Sequence, residues 1–155
     1  MKAEILNPFI SATRDVLQTM AGIDPRRGTP RLKGARDVSY DVSGVVGITG
    51  QVKGFVVLSF PKPAAFRVVS SFLGEPVTAV DEHVIDAVGE LANMVAGGAK
   101  RVLSDVGYDM TISIPTVIVG KNHVITRPTG IPCFEVPFEI DVGAFSVELC
   151  LKLEA

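Results

Sequence analysis

The sequence predicts a single α+β domain with a mostly antiparallel sheet of about six strands, two long helices and one short helix. The 155 residues fit one domain, taken here as residues 1–155, and the 47% hydrophobic content supplies a core. Apolar residues recur at helical spacing in three stretches, and β-branched segments fill much of the rest. Short links between successive strands favour an antiparallel sheet over a parallel βαβ arrangement.

The first half is predicted to contain one long helix and a hairpin. Asn7-Pro8 has the pattern of an N-cap followed by proline at the first helical position, so we expect the helix to begin there. Strands near 38–48 and 52–60 follow, and Thr49-Gly50-Gln51 is predicted to form the turn between them.

The second half is predicted to hold two helices and then strands. Pro61 and Pro63 start the short helix, which ends at Gly74. Thr78-x-x-Asp81 has capping-box character and opens the second long helix, which runs to about Ser104. The remaining strands are expected near residues 108–119, 123–127, 131–140 and 144–153.

Composition and charge exclude several classes of protein. The net charge of −2 provides no general attraction to nucleic acid or to an anionic membrane. No uninterrupted apolar run approaches the ~18 residues of a membrane span, and the first residues do not form a signal peptide. We therefore expect a cytoplasmic protein in which Cys133 and Cys150 are buried, reduced thiols.

Two further groups of residues are candidates for binding. His83 and His123 have no partner ligands at metal spacing, so we expect no metal site. The loop 26–36 carries a basic run that offers an anion or nucleic-acid contact, but no aromatic residues interleave with it. We interpret it as a solvated loop; its basic residues are Arg26, Arg27, Arg31, Lys33 and Arg36.

The second long helix carries the candidate functional residues. At about 100° per residue, its apolar stripe consists of Val84, Val88, Leu91, Val95, Ala99 and Val102. The opposite side gathers Asp86, Glu90, Asn93, Gly97 and Lys100. Glu90 and Asn93 are three residues apart, so their side chains emerge about 60° from each other and can contact one object together.

A polar helix face is usually just solvated, but the composition of this helix is unusual. Gly89, Gly97 and Gly98 each cost about 1 kcal/mol relative to alanine, and Asn93 adds a further penalty. Close packing can explain Gly89 and Gly98. For Gly97, close approach of a partner and internal packing both remain open, and Asp86 is either a surface charge or a partner contact.

The spacing Asp86-x-x-x-Glu90-x-x-Asn93-x-x-x-Gly97 resembles the signature of the CheC/CheX/FliY family of chemotaxis phosphatases. Residues 7–10, 43–54 and 59–61 also resemble this family, so the similarity covers nearly the whole chain. CheC-like members carry two copies of the motif and CheX-like members carry one. The other Glu-x-x-Asn, at Glu4 and Asn7, ends where the first helix is predicted to begin, so the chain resembles the CheX-like members.

The resemblance implies a function and a partner. The substrate would be the aspartyl phosphate of a CheY-like response regulator, with Asn93 positioning water and Glu90 pairing with the receiver's lysine. Asp86 and Gly97 would contact the partner. The receiver would supply Mg²⁺, and this chain would carry no cofactor of its own. The family also implies a homodimer joined along sheet edges, in which residues 147–153 could take part. A non-catalytic adaptor for a receiver or flagellar switch component, and a structural dimer module, are the alternatives.

Overall fold

The structure, a computed structural model, describes residues 3–34, 37–126 and 130–154. Its helices are α1 (Ala3–Ala21), α2 (Lys62–Leu73) and α3 (Glu82–Asp105). Its strands are β1 (Arg26–Arg27), β2 (Arg31–Leu32), β3 (Val42–Gly50), β4 (Val52–Phe60), β5 (Met110–Ile112), β6 (Thr116–Val119), β7 (Cys133–Ile140) and β8 (Gly143–Leu153). The predicted α+β class is confirmed.

All strand pairs are antiparallel and belong to one sheet of order β1-β7-β8-β4-β3-β5, with β2 beside β7 and β6 beside β3. The predicted hairpin is confirmed, with β3 and β4 paired from Val42 and Phe60 to Ile48 and Gly54. One core cluster joins the three helices to alternate residues of the main strands. The sheet therefore buries one face under the helices, as its period of two requires.

Helix α1 begins earlier than predicted. It is already helical at Ala3 and continues through Pro8, so Asn7 is not its N-cap. Pro8 is the sixth residue of the helix and removes one backbone hydrogen bond, but burial of the flanking Ile5 and Phe9 stabilises the additional turn. Tertiary packing therefore overrides the local start signal.

Helix α3 and the strands after it also differ in detail from the prediction. Asp81 is the N-cap, since its carboxylate accepts a hydrogen bond of 3.1 Å from the Val84 N–H, and Thr78 precedes the helix. Val102, expected in the buried stripe, is 50% exposed. The strand expected over 108–119 is divided into β5 and β6, and residues 123–126 form no strand; residue 127 lies outside the described part.

Two predictions about the C-terminal strands are wrong. Strand β8 lies between β4 and β7 up to Cys150, so most of residues 147–153 cannot join a second subunit edge to edge. Cys133 and Cys150 are directly paired across β7 and β8 and form a disulfide rather than two free thiols. Both outcomes depend on the order and register of strands, which local sequence patterns do not determine.

The basic loop is only partly solvated. Lys33 is 5% exposed, and its Nζ lies 2.7 Å from Glu148 Oε2 and 3.4 Å from Glu135 Oε2. Arg31 forms an ion pair of 2.9 Å with Glu135 but is exposed, as Arg26 and Arg27 are. The interpretation as a solvated loop is therefore wrong for Lys33 alone among the described basic residues, and Arg36 lies outside the described part.

Candidate functional site

Helix α3 presents the candidate residues because its opposite side is packed directly on the sheet. A Cβ added to Gly44 of β3 would lie 2.8 Å from the Ala92 Cβ and 3.0 Å from the Val88 carbonyl oxygen. The absence of a side chain at Gly44 therefore lets the helix lie close to β3. With that side buried, the face that carries Glu90 and Asn93 points away from the core.

Glu90 and Asn93 lie together on this outer face, as predicted. Asp86 and Glu90 are exposed, and Asn93 and Gly97 are half-buried. Among the described residues, neither the Glu90 carboxylate nor the Asn93 amide makes a hydrogen bond or an ion pair. Both side chains thus keep their full hydrogen-bonding capacity for a partner molecule.

The pair lies on a ridge between surface hollows. Glu90 borders one hollow of about 290 Å³ towards α2, and another of about 420 Å³ that Pro115 and Val117 line. Asn93 and Gly97 border a groove of about 430 Å³ between α1 and α3. A rounded protein surface could therefore contact Glu90 and Asn93 at once while its neighbouring parts enter the hollows.

The glycines of α3 have different structural reasons. A Cβ at Gly98 would lie 3.2 Å from the Ala12 Cβ of α1, and a Cβ at Gly89 would lie 3.2 Å from Val117 Cγ2. Packing against neighbouring elements therefore accounts for these two. A Cβ at Gly97 would meet nothing within 4 Å, so internal packing does not account for Gly97.

The open space at Gly97 leads to a stability prediction. We expect Gly97→Ala to raise the free energy of unfolding by about 1 kcal/mol, because alanine favours the helix and no atom blocks its methyl group. Gly44→Ala is the matched control and should destabilise the fold, since its methyl group would clash with Ala92. Urea unfolding of both variants measures the difference. A loss of stability in Gly97→Ala would contradict the conclusion that the fold leaves open space beside Gly97.

The second Glu-x-x-Asn, at Glu4 and Asn7, is helical after all. Both residues lie in α1 and are exposed, so the prediction that this pair ends where the helix begins is wrong. The Tyr108 hydroxyl donates a hydrogen bond of 3.0 Å to Glu4 Oε1, and this bond raises the pKa of Tyr108. Ser11 stands where α3 has Gly97. The α1 pair therefore differs from the α3 pair in having its acid already engaged.

The two histidines lie in different parts of the structure. His83 borders the hollow beside Asp86 and Glu90, and His123 contacts β3. His123 Nδ1 lies 2.7 Å from the Gly120 carbonyl oxygen and must donate to it, so in the neutral ring Nε2 accepts from the Ser43 hydroxyl at 2.8 Å. Within the described ranges, no three His, Cys, Asp or Glu residues are grouped so that they could hold a metal ion.

Comparison with known proteins shows the family to which this fold belongs. The family model described as chemotaxis phosphatase CheX matches residues 42–139, which include Glu90 and Asn93. The CheY-P phosphatase CheX of Thermotoga maritima is 32% identical over 149 residues, which cover 96% of this chain and 92% of that protein.

Two solved structures extend the comparison. A chemotaxis protein CheX from Desulfovibrio desulfuricans is 42% identical, with a TM-score of 0.89 over 96% of this chain and 99% of that one. The CheX of a CheX–CheY–BeF3–Mg²⁺ complex from Borrelia burgdorferi is 27% identical, with a TM-score of 0.81 over 95% and 97%.

Fold and similarity together define the chain as a chemotaxis phosphatase, a hydrolase with an acid and an amide side by side on its longest helix. Within that class, the chain belongs to the CheX family. No helix in the described part of the chain is long and apolar enough to cross a membrane.

Proposed function

We propose that this phosphatase hydrolyses the aspartyl phosphate of a CheY-like response regulator, through Glu90 and Asn93 of α3. The observation that carries the proposal is that both side chains face outward together and have no partner among the described residues. The name of the Thermotoga relative, a CheY-P phosphatase, supports the substrate. The Borrelia relative, whose structure is a complex with CheY, BeF3 and Mg²⁺, supports the partner.

Asn93 is proposed to position the attacking water. An amide cannot act as a general base, but its oxygen accepts a hydrogen bond and its nitrogen donates two. Held by such bonds, a water molecule can be fixed in line with the phosphorus–oxygen bond that breaks. The contribution is one of orientation, and it requires an amide with free hydrogen-bonding capacity such as that of Asn93.

Glu90 is proposed to dock the helix on the receiver. Its exposed carboxylate can form a charge-assisted hydrogen bond with the receiver's active-site lysine, which fixes the position of Asn93 three residues later. The receiver is proposed to supply this lysine and Mg²⁺, so that this chain contributes no cofactor. Asp86 adds negative charge one turn before Glu90, and the bare backbone at Gly97 lets the partner approach the helix closely.

The second candidate function is a non-catalytic adaptor that binds a receiver or a flagellar switch component. An adaptor could use the exposed Glu90 for binding. It would gain little from Asn93, a residue of low helix propensity with no bond to the rest of the described chain. The retained amide therefore favours a phosphatase that acts on the receiver.

The proposed substrate is tested by timing the decay of phosphorylated receivers. Candidate receivers of the same organism are phosphorylated with a small phosphodonor and Mg²⁺, and the decay is followed with and without the wild-type protein. We expect at least one CheY-like receiver to lose its phosphate faster. If no receiver decays faster although one of them binds, the adaptor function is correct instead.

Glu90→Ala is expected to weaken both binding and turnover. Loss of one partner from a desolvated charge pair costs about 2 kcal/mol at the lower end of the known range, which corresponds to about a thirtyfold weaker affinity for a BeF3-activated receiver. Titration calorimetry and the decay assay measure the two losses. The control is Glu154→Ala, at an exposed residue directly after β8, and equal behaviour of both variants would refute the docking role.

We further propose that the chain works in the cytoplasm as a homodimer. Because β8 is internal up to Cys150, we place the dimer contact at another edge, and β6 is the longest of the described outer strands. Ile114 beside it is 86% exposed and Val119 is 49% exposed, as expected for a strand that a second subunit covers. The molar mass in solution, from light scattering, distinguishes a dimer from a monomer.

A further inference from the structure

The groove between α1 and α3 begins at the candidate site and continues away from it. Near Asn93 and Gly97 its volume is about 430 Å³. A second hollow of about 370 Å³ extends it along the same two helices towards Val102 and Asp105. The residues common to both parts are Asp15, Val16, Met94 and Arg101. These two hollows are called the α1–α3 groove below.

The groove has an apolar lining and two opposite charges. Val16 and Met94 are half-buried in it, and Met20 is 37% exposed at the end next to Asn93. Asp15 on α1 and Arg101 on α3 are both exposed. Within the described residues neither of them makes an ion pair or a hydrogen bond. Two uncommitted charges of opposite sign thus border one apolar channel.

A specific interface with a receiver needs more surface area than Glu90 and Asn93 provide. A specific complex buries about 800 Å² on each partner, and two side chains supply only a small fraction of that area. A receiver that brings its phosphate to Asn93 must therefore cover neighbouring surface. The α1–α3 groove is continuous with Asn93 and Gly97, and it offers both apolar contact and charge complementarity.

We infer that the α1–α3 groove docks a surface segment of the phosphorylated receiver and that Asp15 and Arg101 select among receivers. This inference rests on the proposed function and deepens it. The segment has an apolar side chain against Met20 and Met94, a basic residue facing Asp15 and an acidic residue facing Arg101. Asp15 and Arg101 are docking residues that do not touch the reacting phosphate, so they determine binding and encounter rate and leave the chemical step unchanged.

Charge reversal at the groove tests this inference. Arg101→Glu and Asp15→Lys are compared with Arg27→Glu on the exposed strand β1, which makes the same charge change as Arg101→Glu. The decay of the phosphorylated receiver is measured over a range of receiver concentrations, which separates KM from the maximal rate. We expect each groove variant to raise KM about tenfold or more with an unchanged maximal rate, and Arg27→Glu to match wild-type protein.

The possible results separate the docking role from the proposed function. If wild-type protein is active and the groove variants keep its KM, the docking role is wrong and the phosphatase function stands. A fall in maximal rate at constant KM would also overturn the docking role, because it would place the groove in the chemical step. If wild-type protein neither binds nor dephosphorylates any receiver, the proposed function fails and this inference fails with it.

Discussion

The Asn93→Ala variant is expected to bind an activated receiver as tightly as wild-type protein and to accelerate dephosphorylation about 100-fold less. A reacting group that is displaced by about 1 Å can lower a reaction rate about 100-fold. The variant loses the amide that would hold the water in place. Binding should persist because Glu90 is unchanged. Single-turnover decay and calorimetric titration with a BeF3-activated receiver measure the two quantities separately.

Reduced stability would not explain such a loss. Alanine has a higher helix propensity than asparagine, and Asn93 makes no hydrogen bond within the described chain. Asn7→Ala is the matched control, because Asn7 is an exposed amide in the other Glu-x-x-Asn of the chain. We expect Asn7→Ala to retain full activity. Full activity in Asn93→Ala would show that the water-positioning role is wrong.

The second large effect is expected at Lys33, away from the site. Lys33→Met should lower the free energy of unfolding by about 3–5 kcal/mol, because it leaves a buried carboxylate without its cation. Glu148 is 2% exposed, and its Oε2 lies 2.7 Å from Lys33 Nζ. The hydrogen bond of 2.6 Å from the Ser39 hydroxyl remains, but it does not neutralise the charge. Urea unfolding measures the loss.

A surface pair and a double variant serve as controls for this effect. Arg14 and Asp24 form an exposed ion pair of 3.1 Å, in which hydrogen bonds from Gln18 and Arg14 lower the pKa of Asp24. We expect Arg14→Ala to change stability little, because solvent screens the pair. In the double variant, Glu148→Gln added to Lys33→Met should restore part of the stability that Lys33→Met alone loses. If Lys33→Met unfolds no more easily than Arg14→Ala, the buried ion pair does not stabilise the fold.

Much of the fold is predictable where the determining information is local. The hairpin of β3 and β4 follows from two β-branched runs around one turn, and α2 follows from Pro61 and Pro63 at its start and Gly74 after it. The polar face of α3 follows from spacing alone, because every helix advances by about 100° per residue. The identity of Glu90 and Asn93 as the candidate pair could therefore be predicted from the sequence.

The larger errors concern contacts between residues distant in the chain. Burial of Ile5 and Phe9 keeps α1 helical before Pro8, and strand order places β8 inside the sheet. Register brings Cys133 opposite Cys150 and Lys33 near Glu148. None of these neighbours can be inferred from periodicity, because the same local pattern fits an edge strand or a central one.

The α1–α3 groove could not be predicted from the sequence for the same reason. Ala12 and Gly98 let α1 and α3 approach closely at one point, and Asp15 of α1 and Arg101 of α3 line the groove beside it. One local signal was present, since Arg101 follows Gly97 by four residues and therefore lies on the same helix face. Its significance depends on which helix packs beside it, which the structure provides.

The most direct measurement of whether the Glu90 and Asn93 face acts on a phosphorylated receiver is multiple turnover. A substoichiometric amount of the wild-type protein is added to a phosphorylated CheY-like receiver, and the acyl phosphate remaining is followed over time. We predict that the whole receiver pool loses its phosphate faster, at a rate proportional to the amount of protein added. An unchanged or prolonged lifetime for a receiver that binds would contradict the account.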